Sequence, residues 1–351
     1  MLSSLFKFLR SVFAIIAPIV ILLMHFVVML AFINRWDSVV AITLIPIWMW
    51  ASAGMVLSLI AWGLLKSRLS LLTFFIWFIT GLICADETPG VLREFRSAIT
   101  GTTTVLPGAN PQENKSPKEF RILTFNAQEG SADAILELLP LKPDIVLLQE
   151  KPDEQALGRL SRELFDNGGS IVSQGGSAIL TSGEVDIFSQ QKDSRHLGVT
   201  IDFPNGPTID LLNLHLERSA PRYSVWRPQT WRDMTRLRVE NRTDLRQMLR
   251  KLPDRVVEQP TIVAGDFGTP PGDDIFRSLM PEYQDAFREI GEGWGNTWPN
   301  QGAIVRIDQI WANPRLEPIR AFTVRSQHSD HRILVVDYHL VAPNGTLAAF
   351  P

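Results

Sequence analysis

The chain has 351 residues, of which 45% are hydrophobic and 20% charged, and a formal net charge of −3. That length allows one large domain or two smaller ones, and the mild acidity argues against a dedicated nucleic-acid coat protein. A single cysteine, Cys84, excludes a disulfide framework and a thiolate zinc site.

The excess hydrophobicity lies before residue 86. Residues 11–33, 38–65 and 69–85 carry no Asp, Glu, Lys or Arg, although His25 lies in the first run and Pro46 interrupts the second. About 20 apolar residues span a bilayer core, so residues 1–86 are expected to form three transmembrane helices, with two spans and a re-entrant segment as the alternative because the third run, at 17 residues, is short. The first run is too long for the apolar region of a signal peptide. Lys7 and Arg10 precede it, Lys66 and Arg68 separate the second and third runs, and only Arg35, beside Asp37, separates the first two. Positive charge stays inside. The expectation is therefore a multi-pass protein of the inner (plasma) membrane whose C-terminal domain is extracytoplasmic, or periplasmic. His25 reads as a helix-packing residue. The first 118 residues hold nine Lys/Arg against five Asp/Glu, so the acidity belongs to the remainder. Residues 87–118, rich in Thr, Pro, Gly and Asn, read as a tether, with 92–99 able to form a short helix near the membrane surface. Residues 342–351 read as a tail.

Between 119 and 341 four apolar runs each end on a polar, metal-capable or catalytic residue: RILTFN (121–126), PDIVLLQE (143–150), DLLNLH (210–215) and PTIVAGD (260–266). Runs of this length read as buried strands. A fifth segment, Arg306-Ile307-Asp308, leads toward Ser329-Asp330-His331. Helical patterns fall at 132–139, 154–165 and 230–252, and further strands at 177–180, 196–203, 304–312 and 332–339. Polar strand ends side by side make a site, and Asn, Glu, His and Asp there point to metal-assisted chemistry.

The order TFN, LQE, NLHL, GDF, RID, SDH resembles the endonuclease/exonuclease/phosphatase superfamily over about 119–338. The membrane helices ahead of it resemble a bacterial, membrane-anchored branch. The resemblance implies an α/β (α+β) fold, a four-layer sandwich of two packed β-sheets flanked by helices and preceded by transmembrane helices. It implies Mg2+ or Mn2+ as cofactor, with Glu150 and Asp330 as metal residues. Asp266 would orient or deprotonate the attacking water. Asn126 would lie near metal and phosphate, and His215 would contact the phosphate. Asp308 would pair with His331 and fix its tautomer, so that His331 donates to the scissile phosphate.

One departure stands out. The family pattern Gly-Asp-x-Asn reads Gly265-Asp266-Phe267-Gly268 here. Losing one such donor costs roughly 10²–10³ in rate, unless Thr269 or the Gly268 N–H with a water replaces it. Residues 218–251 hold ten Lys/Arg against three Asp/Glu, with aromatic residues interleaved. Arg222, Arg227 and Trp226, together with Arg306, are the substrate-binding candidates, since Arg beside aromatic faces suits stacked bases or an anionic head group. A solvated helix face is the other reading of that stretch, and core packing the other reading of the tryptophan segment 294–298. The expected function is a membrane-anchored metal-dependent phosphoesterase hydrolysing a phosphodiester in nucleic acid or a phospholipid head group. A catalytically weak or inactive anchored binding module is the alternative. Its partners are the phosphoester and the lipid bilayer, and no protein partner is inferable.

Overall fold

The computed structural model describes residues 2–101, 119–166, 168–189, 196–204, 206–218, 227–253 and 259–341. Two compact units divide the chain, and the first comprises Met1–Thr88, Ser219–Val239 and Gly272–Asp274. Helix α1 (Leu2–Asn34) is followed by a 3-10 turn at Asp37–Val39 and the short α2 (Val40–Thr43). The expected run 38–65 is thus divided. Pro46 has no N–H to give and caps the start of α3 (Ile47–Leu65). Then comes α4 (Arg68–Cys84). Phe8–Asn34 and α3 are each long and apolar enough to cross a membrane, and α4 passes only as a bent pair with the next helix, α5 (Thr88–Thr100). Polar pairs join the apolar helices: His25 Nε2 meets Thr80 Oγ1 at 2.7 Å, and Ser58 Oγ meets Thr73 Oγ1 at 2.9 Å. The first part of α8 (Pro228–Leu249) belongs to this unit. Its Arg238 is buried, paired with Asp273 at 2.9 Å and donating to the carbonyls of Arg35 and Trp36 at 3.3 Å. This arginine is a structural brace and not part of a solvated face.

The second unit is built by period-two alternation. One sheet holds β1 (Glu119–Asn126), β2 (Ile145–Gln149), β3 (Ser170–Gln174), β4 (Ser177–Thr181), β11 (Leu316–Val324) and β12 (Ile333–Leu340), in the order β11-β12-β1-β2-β4-β3. The other holds β5 (Glu184–Ser189), β6 (His196–Asp202), β7 (Thr208–His215), β8 (Thr261–Asp266), β9 (Gln284–Asp285) and β10 (Asp308–Ala312), in the order β5-β6-β7-β8-β10-β9. The inner faces meet through Ile122, Ile145, Leu147, Ile179, Val199, Leu211, Ile262 and Ile310. On the outer face of the first sheet, Leu123, Phe125, Val146 and Leu148 pack on α6 (Ala132–Leu136) and α7 (Glu154–Leu164). On the outer face of the second, Leu212, Leu214 and Val263 pack on Leu245 and Met248 of α8 and on Phe276. Two mixed sheets flanked by helices make the four layers expected.

The boundaries differ from expectation in two places that bear on the site. Residues 304–307 are not strand, because Val305 only bridges Trp298 and pairing with β8 begins at Asp308. The helical pattern at 132–139 stops at Leu136, and Pro140 enters a 3-10 turn at Leu139–Leu141.

Candidate active site

Alternation delivers the site residues to one end of the inner layer. Along β1, Ile122 and Thr124 precede Asn126 on the inner face; along β8, Ile262 and Ala264 precede Asp266; along β7, Leu211 and Asn213 precede His215. Parallel pairing sets His215 beside Asp266, and antiparallel pairing sets Asp266 beside Asp308. Gly265 permits the close approach of β8 to β7: its φ is +137°, and a Cβ there would strike the Leu214 carbonyl. One layer below, Gln149 donates to Asn213 Oδ1 at 2.7 Å and to Thr124 Oγ1 at 3.1 Å, closing the buried polar floor.

Above this floor the functional groups converge. The Asn126 amide donates to Glu150 Oε1 at 3.1 Å and to Asp266 Oδ2 at 3.2 Å, and its carbonyl accepts the Gln128 N–H at 3.0 Å. Glu150 Oε2 accepts the Glu129 N–H at 2.8 Å. Gln128, Glu129 and Glu150 all have positive φ, at 44°, 52° and 48°. Strain of about 1–3 kcal/mol per such residue is held only where the surroundings enforce it, and here all three bound one side of the cleft. His215 Nε2 lies 3.8 Å from Glu150 Oε1 and 4.0 Å from Asp266 Oδ2. His331 Nδ1 meets Asp308 Oδ2 at 2.9 Å, while its Nε2 lies 3.8 Å from both Asp266 Oδ2 and Asp330 Oδ1. Thr297 Oγ1 accepts the N–H groups of Ile307 and Asp308, and Trp298 Nε1 donates to Asp330 Oδ2 at 2.9 Å. The tryptophan segment therefore positions both acids. Ser329 Oγ donates to the Asn126 carbonyl at 2.7 Å, tying the Ser-Asp-His turn to β1.

The electrostatics separate the acids. Burial alone would raise the Glu150 pKa, but the Glu129 N–H, the Asn126 amide and the nearby imidazoles outweigh it and hold the carboxyl below its ordinary range. For Asp266, burial and the Asp308 charge win and push its pKa up. Burial disfavours the His331 imidazolium, yet Asp308, with Asp266 and Asp330, raises its pKa to about 9. Asp266, Asp308 and His331 offer ligand atoms within 4.8 Å of one another. Asp308 and His331, however, already bond each other. Glu150 and Asp330 are the more open acids of the cleft, with side chains 33% and 37% exposed. Hard carboxylate oxygens with room for water are the donor set that Mg2+ or Mn2+ takes.

A residue not singled out from sequence enters here. Arg218, on the chain leaving β7, places Nη2 2.8 Å from His331 Nε2, stacks over Trp298 at 4.6 Å and lies 3.9 Å from Asp330 Oδ2. Its Nε is buried without a hydrogen-bond partner among the described residues. Gly268 explains its path. With φ at +62°, a Cβ on Gly268 would lie 2.7 Å from the Arg218 Cα and 2.9 Å from the Glu217 carbonyl. The absent family Asn and the arrival of the Arg218 backbone are one structural fact. The signal in the sequence was position: Arg218 is the first cation after His215.

The other predicted cations fall elsewhere. Arg306 is buried, donating to Asp285 at 2.9 and 2.6 Å and stacked on Phe287, so it braces the core where substrate contact was expected. Arg227 is exposed just ahead of α8 and falls in the first unit. Arg222 and Trp226 lie outside the described residues.

No curated protein matches the chain. A family protein from Bacteroides thetaiotaomicron is 13% identical, with a TM-score of 0.49, covering 65% of this chain and all of its own (100%). A humanized D. rerio TDP2 carrying 14 mutations is 18% identical, with a TM-score of 0.47, covering 63% of this chain and 99% of its own. A Bacteroides thetaiotaomicron mannosyl-6-phosphatase is 14% identical, with a TM-score of 0.47, covering 62% and 99%. The sequence profile of the Endonuclease/Exonuclease/phosphatase family matches residues 123–331, well over half of the chain and every residue of the cleft described above, and the chain belongs to that family.

Proposed function

We propose that this chain is a membrane-anchored, divalent-metal-dependent phosphoesterase that hydrolyses a phosphodiester. The observation that carries the reading is the Asp308–His331 pair at 2.9 Å, with the imidazole Nε2 directed at the same space as Asp266. Glu150 and Asp330 would hold Mg2+ or Mn2+, which supplies charge neutralisation at the phosphoryl oxygens. Asp266, its pKa raised by burial, is the base for the attacking water. Asn126 fixes the Asp266 and Glu150 carboxylates relative to each other. His215 and His331 donate to non-bridging oxygens, and Asp308 keeps the Nδ1 proton of His331 in place so that Nε2 faces the substrate.

Arg218 takes over the donor role left by Gly268. The guanidinium and a phosphate anion compete for Nε2: Arg218 can donate to that nitrogen only while it carries no proton, and the carboxylates of Asp308, Asp266 and Asp330 favour the protonated imidazole that donates to phosphate. This arrangement favours activity over the binding-module reading, for which Gly268 is the supporting observation.

The test uses the full chain in detergent with bis-p-nitrophenyl phosphate and Mg2+, Mn2+ or EDTA. Metal-dependent release, lost in both Glu150→Ala and His331→Ala, is the expected outcome. Release equal in the two variants and the parent, or no release with either metal, would overturn it. Parallel assays on single-stranded DNA and on phospholipid vesicles separate the two carriers of the diester.

A further inference from the structure

Helix α5 is fastened to the second unit along one stripe. The Gly293 N–H donates to the Gly90 carbonyl at 3.0 Å. Arg93 donates to the carbonyls of Gly291, Arg288 and Phe287 at 2.8, 3.1 and 3.3 Å. The Ser97 hydroxyl donates to Glu292 at 3.1 Å. Residues 90, 93 and 97 share a face of a helix with 3.6 residues per turn.

The opposite face carries Val91, Phe95 and Ile99, spaced by four, with Leu92 beside them. Their exposures are 39%, 63%, 69% and 53%. Glu94 and Arg96 border this stripe, one on each side. Scattered exposed apolar residues need no explanation, but a continuous stripe on a helix bolted down by its polar face does.

The chain itself says what covers the stripe. Helix α4 ends at Cys84 and α5 begins at Thr88. The four Cα–Cα steps from Cys84 to Thr88 reach at most about 14 Å when fully extended. From Leu69 to Cys84, α4 carries no charge, and its Leu72, Phe75, Phe78, Ile79 and Leu82 are exposed as lipid-facing side chains would be. An amphipathic helix starting within about 14 Å of the end of an apolar one starts in the head-group layer, where such helices bury their apolar face about 5–10 Å deep. Arg93, Glu94 and Arg96 exclude the hydrocarbon core for α5 itself.

We propose that α5 lies flat in the outer surface of the bilayer. Val91, Leu92, Phe95 and Ile99 seat at the head-group and acyl boundary, and Gly90, Arg93 and Ser97 hold the catalytic sandwich on its other side. The partner is a lipid surface. The helix makes the sandwich a surface-bound body in addition to a tethered one. The inference rests on the membrane-anchored half of the proposed function and is independent of its phosphoesterase chemistry.

Cys84→Ser removes the only cysteine, and Phe95→Cys, Ile99→Cys and, as a reference on α7, Glu163→Cys each then accept an NBD label on the full chain. Labelled chains are reconstituted in phosphatidylcholine–phosphatidylglycerol vesicles containing lipid with a nitroxide at acyl carbon 5 or 12. The expected result is quenching by the carbon-5 nitroxide at least about threefold stronger at 95 and 99 than at 163, and weaker quenching by the carbon-12 nitroxide at both. Equal quenching at 95, 99 and 163 would overturn the proposal. Stronger quenching by the carbon-12 nitroxide would also overturn it, because α5 would then continue α4 through the bilayer. All three labelled positions are exposed side chains, so the readout does not hinge on a core substitution.

Discussion

The two ends of the inner layer are made by the same strands and obey opposite rules. Toward one end the inward residues are Ile122, Ile145, Leu211, Ile262 and Ala312, packed against one another. Toward the other they are Asn126, His215, Asp266 and Asp308, each buried or half-buried and each tied to its neighbours by polar atoms. The apolar end holds the sheets together without direction; the polar end holds a geometry. Burial, which stabilises the first, is what shifts the titration of the second.

The sharpest way to break this comparison is to exchange the expected losses. Asp266→Asn and His331→Gln should each lower kcat by about 10³ or more, while thermal unfolding of the full chain in detergent stays within a few degrees of the parent. Leu211→Ala should do the reverse, destabilising by about 2–5 kcal/mol with kcat of the folded fraction intact. If Asp266→Asn instead unfolds the protein at unchanged kcat, the polar end is structural.

Two arginines carry the comparison further. Arg306 forks its guanidinium onto Asp285 in the core. Removing it as Arg306→Ala strands a buried carboxylate and should cost about 3–5 kcal/mol in urea unfolding, with KM unchanged. Arg218 has an Nε without a partner among the described residues and a side chain 33% exposed. Arg218→Ala should leave the unfolding midpoint nearly unmoved and lower kcat by about 10²-fold, the loss typical of one preorganised donor. Gly268→Asn, which restores the family residue, should lower activity too, by about tenfold, because its Cβ pushes on the Arg218 backbone. A gain of activity in that variant would sink the exchange of Asn for Arg218.

Reading strand ends from the sequence singled out Asn126, Glu150, His215 and Asp266, because period-two alternation is local and the polar residue interrupts an apolar run; Asp308, Asp330 and His331 came from the resemblance, and the structure brings all seven to one cleft. The central strands of both sheets followed from such runs, while β3, β5, β9 and β11 did not, and the two-sheet layering came from the resemblance. Arg306 misled because its partner Asp285 is distant in sequence and sits on a two-residue strand with no pattern of its own. Arg218 was missed because it lies on no element; its place is set by a glycine fifty residues later. The division of α8 between two compact units was equally illegible, since the partners of Arg238 are a loop at Arg35–Trp36 and Asp273. Pairings over such separations leave no periodic trace.

The smallest expected effect is also the most discriminating. The His331 pKa is raised to about 9, so the imidazolium is present below that pH and is lost as pH rises through it. A step that needs a proton on Nε2 therefore has a basic limb at or just below pH 9 in kcat/KM. Asp308→Asn removes the charge that holds the proton and should bring the limb down by about one unit or more. Arg218 acts in the opposite sense, since its N–H occupies Nε2 only when that nitrogen is unprotonated. Arg218→Ala should accordingly move the limb upward while lowering the plateau, and Arg218→Lys should restore part of both. A guanidinium that merely packed on Trp298 would lower the plateau and leave the limb where it was, so the direction of that shift decides whether Arg218 and the phosphate compete for the same nitrogen.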